Sequence, residues 1–536
     1  MPKANITAHD VPAAPLIWRL GLFLLCALWL LAGTVAHDPW KSDDAIHLGI
    51  AFGMDSDNWL IPRIVGDPWL ATPPLYYWLA ALCGKLFHWM LPWHDAARLA
   101  SSLLGAIFLL TLSASTRHLA TRQAALIAPL LAIGTLGFLI PLHDAQPAIV
   151  AVAAYSISLL GLAYWQHRPV QGGLLLGIGI GSSFLGTGLD GTIAPLAAGL
   201  LMLIHPAWRA RGSLTGVLVA AAIALALIFP WPWLLQQQAP ALFDIWWSNE
   251  RASLISKNSF SRAHLEMLLW ASWPLMPLAL WHLWLERRRL WLPQTILPLT
   301  ATGISLLIFF LGDARPTAIL PALVPLCLLA ATGSGRLRRG AANAFDWFGM
   351  MTFSLITGLI WLGAIAMLTG APARIAKNFT KPAPGFVADI PAALVGLAIV
   401  VTLAWLVLAL RLPRSPWRAT IRWSLGLTSI WVLLAILWLP WIDYGKSYRS
   451  VSADFSRLLG EKPGCIARRN LGLAQRASLD YFNGIRTVSG NSAKNCRYLI
   501  SQARPQTEKN LANWKLLLET SRPGDKTERL RLYRRD

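Results

Sequence analysis

HDPWKSDDAIHLGIAFGMDSDNWLIPRIVGDPWLATPPLYYWLAALCGKLFHWMLPW, residues 37–93, is the stretch on which the reading of this chain turns. It gathers Asp38, Asp43, Asp44, Asp55, Asp57 and Asp67 beside a run of tryptophans, in a chain whose net charge is +21. Apolar runs flank it on both sides. Carboxylates next to a bilayer are costly unless they meet water or do chemistry. The stretch therefore reads as a polar site roofing a membrane cavity, with the remaining chain as its scaffold.

Composition supports that scaffold. Of 536 residues 55% are hydrophobic and only 14% charged, with a mean hydropathy of +0.49. A soluble domain carries about 25% charged residues, so an all-α polytopic membrane protein is expected. The basic excess would suit a nucleic-acid binder. Here the arginines instead sit in short clusters between apolar runs, which is the pattern that orients membrane spans. The 28 tryptophans suit the two interfacial belts.

Residues 16–36 make a first span. Further apolar runs follow at about 97–114, 124–141, 146–165, 171–187, 190–205, 213–235, 264–285, 293–312, 316–333, 346–369, 391–411 and 421–440, roughly thirteen spans by the length criterion. Arg117 and Arg122, Arg168, Arg209 and Arg211, Arg287 to Arg289, Arg336 to Arg339, and Arg411 to Arg422 occupy every second connection. Those connections are expected to be cytoplasmic. Counting Leu75–Pro92 as a span would reverse this order, so it reads as an amphipathic interfacial helix. The GTGLDG segment at 186–191 marks an outer turn between two short spans. An odd span count leaves residues 441–536 outside, as a small α/β domain after a membrane domain of residues 1–440.

That tail carries 19 Lys/Arg against 9 Asp/Glu, which does not forbid export, because long domains translocate regardless of charge. A helix is expected near Tyr448–Gly460, and short strands near Cys465–Arg468, Cys496–Ile500 and Arg529–Tyr533. Cys465 and Cys496 are expected to form a disulfide in an oxidising compartment. Cys26, Cys83 and Cys327 fall in apolar runs, as small buried residues do. No cysteine spacing resembles a zinc site.

Three places offer chemistry. With Ser42 as a helix cap, His47 lies one turn beyond Asp43 and Asp44, on the same face. An acid and an imidazole so placed suit a general base or a divalent cation. They equally suit a capped interfacial helix with solvated acids. Asp144, in the short outer turn PLHDAQPA, is either a second acid at the membrane surface or a helix cap. The outer loop around residues 235–266 brings Glu250, Arg251, Lys257, Arg262 and His264 beside Trp246 and Trp247, where arginine suits phosphate binding or merely faces head groups.

The run DNWLIPRIVGDPWLATPPLYYWLAALCGKLF resembles the first outer loop of bacterial GT-C glycosyltransferases, the group of aminoarabinose transferase and the protein O-mannosyltransferases. Asp43-Asp44 stands at that family's acidic pair, Asp57 to Gly66 at its D-W-x-x-P-R-x-x-G stretch, and Pro73 to Trp78 at its K-P-P-L-x-Y-W ending. Asp144 resembles its second acidic point. The resemblance implies transfer of a sugar from a polyprenyl-phosphate carrier to a lipid, glycan or protein acceptor on the outer side of the bacterial inner membrane, with a periplasmic C-terminal domain. It implies Asp43, Asp44 and Asp144 as the catalytic set. The outer-side residues left to bind substrate or carrier phosphate are His47, Arg63, Lys85, Arg251, Lys257 and Arg262.

The chain departs from the pattern at Ile46, Ala71, Thr72, Thr187 and Ala318, where the family has Arg, Glu, Lys, Lys and Tyr. Several of those groups serve the carrier phosphate. The departures imply a changed donor site or, as the alternative reading, a GT-C-like protein that no longer transfers sugar and acts as a binding or assembly subunit. A transporter would want polar residues in broken helices at the bilayer midplane, whereas these acids lie at the outer surface.

Overall fold

The computed structural model describes residues 16–54, 59–209, 211–255, 260–461, 463–502 and 513–535. It is mostly helical, and each of the thirteen apolar runs forms helix. Among the described residues eight helices are long and apolar enough to cross a membrane. One of them, Pro169–Met202, contains two of the expected runs. The four remaining runs form shorter or interrupted helices: Leu16–Leu31, Arg122–Ile133 with Leu136–Leu139, Arg262–Ala271 with Leu275–Glu286, and Leu320–Ser334.

The Pro169–Met202 element is not one straight rod. Gly188 adopts φ 74°, a left-handed conformation that glycine takes at little cost. Leu176 then lies against Gly199, 23 residues on, which a straight helix would place about 35 Å away. The chain therefore reverses at Gly188, as the GTGLDG turn anticipates. Glu250 completes the turn by accepting the Leu189 N–H at 2.8 Å. Packing behind it is close: a Cβ on Gly173 would sit 2.2 Å from the Gly216 carbonyl oxygen, the kind of small-residue approach that drives helix association in lipid.

The main apolar core is shared by Trp93–Leu119, Arg122–Ile133, Ala148–Trp165, Pro293–Leu311 and Leu320–Ser334. Arg339–Thr369, Ala392–Arg411 and Arg418–Leu437 make a second core at the side. Leu75–Phe87 has 13 residues, too few to span about 30 Å of hydrocarbon. It buries Tyr76, Tyr77, Ala80 and Ala81 and leaves Leu82, Leu86 and Phe87 exposed, as an interfacial helix should. Ahead of it, β1 (Arg63–Ile64) and β2 (Asp67–Pro68) form a short hairpin.

Beyond the last long helix come β3 (Ile466–Arg469), β4 (Tyr498–Ser501), β5 (Trp514–Thr520) and β6 (Leu530–Arg535). They form one sheet in the order β3-β4-β6-β5, with β3 and β4 parallel and the other pairs antiparallel. Helix Arg449–Leu459 matches the expected one. Strand β5 and helix Leu473–Asn483 were not anticipated. Tyr448, Val451, Phe455, Leu479, Ile500 and Leu532 share a core of their own. Cys465 and Cys496 are disulfide-bonded, their Cα atoms 4.8 Å apart.

Candidate active site

The acidic pair opens a helix, Asp43–Gly53, lying just beyond the first apolar helix. Ser42 precedes it but makes no side-chain cap. Its hydroxyl instead donates to Asp43 Oδ1 at 3.2 Å. Asp44 reaches back from the first turn, its Oδ2 accepting the Trp40 N–H ahead of the helix at 3.2 Å.

Asp44 is the anchor of the site. Arg98, fully buried on Trp93–Leu119, forks onto it from Nε to Oδ1 at 2.9 Å and from Nη2 to Oδ2 at 2.8 Å. The rest of the guanidinium donates to Asp95 Oδ1 and to the carbonyls of His37 and Asp38. A fork of this kind fixes geometry as well as charge. Asp44 Oδ1 also accepts the Ala145 N–H at 2.9 Å, which ties the first loop to the turn carrying Asp144. Burial alone would raise the Asp44 pKa, but the charge and hydrogen bonds of Arg98 prevail and hold it down at about 2. A carboxylate so fully engaged is a structural anion.

Asp43 is different. It is exposed, and its Oδ2 accepts one bond from Gln146 Nε2 at 3.0 Å. It lines a cavity of about 410 Å³ together with Asp144, Lys41, Lys446 and His143. Ile140, Trp431, Leu434 and Leu439 supply an apolar wall. The Asp144 turn is fixed from behind, where Ser101 Oγ donates to the Asp144 carbonyl at 2.8 Å. Burial raises the Asp144 carboxyl to about 7, with the charge of Asp44 adding to the rise; Arg98 and Lys446 pull the other way. Lys446 Nζ stands 4.8 Å from the centroid of the Trp40 ring. Lys41 pairs with Glu528 of the tail at 2.7 Å. Two carboxyl groups, two lysine side chains and a greasy wall thus share one space. That set suits an anionic substrate on an apolar chain.

No family model matches this chain. Curated relatives do: an undecaprenyl phosphate-alpha-4-amino-4-deoxy-L-arabinose arabinosyl transferase of Pseudomonas aeruginosa (strain UCBPP-PA14) is 27% identical over 447 residues, 78% of this chain and 75% of the relative. The enzyme of the same name from Serratia proteamaculans is 24% identical over 333 residues, 59% of this chain and 58% of the relative. Among solved structures, ArnT from Cupriavidus metallidurans bound to undecaprenyl phosphate superimposes with a TM-score of 0.71 at 16% identity, over 97% of this chain and 98% of that one.

In sequence and in fold the chain is similar to the GT-C glycosyltransferases. The structure brings Asp43, Asp44 and Asp144 together around one cavity and separates Asp44, held in the Arg98 fork, from the other two. It does not bring the expected basic residues to them. Arg63 donates to the Gly66 carbonyl at 3.0 Å. Lys85 lies 5.2 Å from the Trp59 ring and Arg251 5.7 Å from the Trp247 ring. Arg262 pairs with Glu266 at 2.6 Å on an exposed face. None of these four lines the cavity. Lys257, like Asp55 and Asp57, lies outside the described residues.

His47 sits behind the helix rather than in the cavity. Its Nδ1 is 3.0 Å from the Tyr77 hydroxyl, which is 2.8 Å from Thr72 Oγ1, which accepts the Trp69 indole N–H at 3.0 Å. Thr72, at the family's lysine position, is thus a link in a half-buried hydrogen-bonded chain. Burial pushes the His47 imidazole down to about 4, so it is uncharged at neutral pH. Among the described residues no three His, Cys, Asp or Glu side chains gather as a metal site.

Lys41 and Lys446 are cavity-lining cations that the sequence reading missed. Lys41 precedes the acidic pair by two positions. Lys446 follows the last long helix, in IDYGK. A lysine just outside an apolar run on the acidic side of the membrane was the available signal.

Proposed function

We propose that this chain moves a sugar from a polyprenyl-phosphate carrier to a hydroxyl-bearing acceptor, lipid A or another envelope glycan or protein, at the outer face of the bacterial inner membrane. The single observation that supports this most is the cavity in which Asp43 and Asp144 meet Lys41 and Lys446 beside an apolar wall. Asp43 takes the proton of the acceptor hydroxyl. The acceptor oxygen bonds to the anomeric carbon, the carbon–phosphate oxygen bond breaks, and the carrier leaves as polyprenyl phosphate. Lys446, aided by Lys41, holds the phosphate and meets the charge that develops on it. The names of the relatives favour undecaprenyl phosphate as the carrier. A degenerate chain would be expected to hold acids with no cation beside them, so the two lysines favour the enzyme over the binding subunit.

The same reading treats residues 1–440 as the membrane unit and 441–536 as a periplasmic unit. The alternation of arginine clusters and the Cys465–Cys496 bridge, at home in an oxidising compartment, support that orientation.

The test is transfer by the purified full-length protein, given a polyprenyl-phosphate sugar and a lipid A acceptor. A positioned base contributes roughly 10²–10⁴-fold, so Asp43→Asn is expected to lower kcat by that factor with KM for the carrier little changed. Lys446→Met is expected to raise the carrier KM about tenfold or more. Full activity in Asp43→Asn would remove it as the base.

A further inference from the structure

A second cavity, of about 1070 Å³, lies where Arg339–Thr369, Ala392–Arg411 and Arg418–Leu437 come together. Arg339, Arg414, Arg418 and Arg422 line it with a single carboxylate, Asp346. Arg418 Nη2 and Arg422 Nη1 reach Asp346 Oδ2 at 2.8 and 2.7 Å. Arg339 and Arg414 are exposed, and neither has an ion pair or hydrogen bond among the described residues. Arg422 is 6% exposed, and its Nε is buried with no partner. Four guanidinium groups against one carboxylate leave three positive charges facing one space.

Its place in the bilayer follows from the Arg418–Leu437 helix. Arg418 and Arg422 lie at the first turns of this 20-residue helix, while Leu434 near its end lines the acidic cavity. Twelve residues from Arg422 to Leu434 span about 18 Å, so the two cavities open toward opposite membrane faces. Clusters that only orient a span need not converge or bury a member; this one converges on one space, and Arg422 within it is buried. The walls also face lipid. Only 17% of the apolar window of Ala392–Arg411 is buried, and Trp347 and Leu410 stand exposed at the rim.

We propose that this pocket binds the phosphodiester headgroup of an anionic phospholipid from the cytoplasmic leaflet. Arg339 and Arg414 take the phosphate oxygens, an arrangement guanidinium groups favour, and Arg418 and Arg422 supply the field behind them. The acyl chains run along Trp347 and Leu410 into the membrane. Basic pockets between spanning helices on this side are the general form of such sites.

The experiment uses the full-length protein in detergent and reads thermal unfolding and native mass spectrometry, so it is independent of transferase activity. Phosphatidylglycerol is titrated beside phosphatidylcholine and inorganic phosphate. Phosphatidylglycerol alone is expected to raise Tm and to stay bound in the gas phase. In R339Q/R414Q, which leaves the Asp346 pairs intact, apparent affinity is expected to fall about tenfold or more, and R414K is expected to recover part of it. Equal affinity in the double variant would overturn the site, as would no preference for phosphatidylglycerol over phosphatidylcholine. Equal stabilisation by inorganic phosphate at the same concentration would overturn the lipid as its occupant.

Discussion

Because Arg98 closes both oxygens of Asp44 in a buried fork, Asp44→Asn takes away its bidentate counter-charge and leaves the buried guanidinium with the single carboxylate contact to Asp95. Breaking a buried pair this way costs about 3–5 kcal/mol. Asp44→Asn is therefore expected to lower thermal stability and yield, whereas Asp43→Asn keeps the wild-type melting temperature; differential scanning fluorimetry on both separates the roles. Asp144 brings in pH. Its folded pKa is raised to about 7, so its neutral form is the one the fold prefers. The stability this contributes is complete below the ordinary aspartate range and is lost as pH rises through about 7. Donor binding runs the same way, since an ionised Asp144 repels a carrier phosphate. The donor KM is expected to rise above about pH 7 and to lose that inflection in Asp144→Asn. The adjacency of Asp43 and Asp44 was legible in the chain, but which of them is held fast was not, because that is set by Arg98, 54 residues from Asp44. The expected cations were sought in the first outer loop, at Arg63 and Lys85, and in the outer loop around residues 235–266. The ones that reach the cavity are single lysines at the edges of apolar runs.

At the level of elements, the apolar runs announced the helices well, because lipid leaves the backbone no other way to satisfy its hydrogen bonds. Run length was a poorer guide to where helices stop. The turn at Gly188 has glycine and acid signals in the chain, but its partner Glu250 comes from the helix Pro240–Ile255, 61 residues on from Leu189. The sequence reading placed Glu250 with a phosphate site, and here its carboxylate instead receives the Leu189 N–H. A Cβ at Gly188 would lie 2.3 Å from Glu250 Oε1 in addition to requiring φ 74°. Gly188→Ala is expected to destabilise by more than the roughly 1 kcal/mol of a simple left-handed penalty, with Glu250→Ala losing stability through the same turn. Thermal unfolding of the two single variants and the double variant would show whether their effects overlap rather than add.

The whole molecule is held together by ion pairs that the order of the chain hides. Asp67 of the β1–β2 hairpin accepts Arg468 at 3.1 Å and Arg476 at 2.6 Å from the tail. Asp38 accepts Arg449, the Ser447 hydroxyl lying 2.6 Å away. Thus Asp38 and Asp67, read as part of one acidic cluster, serve as docking points for the tail instead. The tail's helix and three of its strands were legible from short apolar alternations. Strand β5 was not, since it is a partly exposed edge strand of WKLLLET. The Cys465–Cys496 bridge closes a separation of 31 residues, for which the chain-entropy argument gives about 3–4 kcal/mol. Reducing the bond, or Cys496→Ser, is expected to lower the stability of the tail by up to that amount, measured by urea unfolding with and without reductant.

The Lys41–Glu528 pair bears on how such a chain can be recombined. A cut at the end of the last long helix looks like a natural place to graft a tail from one relative onto the membrane portion of another. It would separate Lys446 from the wall it completes and take away the carboxylate that positions Lys41. Chimeras joined there are expected to assemble in the membrane yet accept donor poorly, unless the incoming tail carries its own acid opposite Lys41. The two halves of the chain are therefore not interchangeable parts, and sequence change in one is constrained by the other.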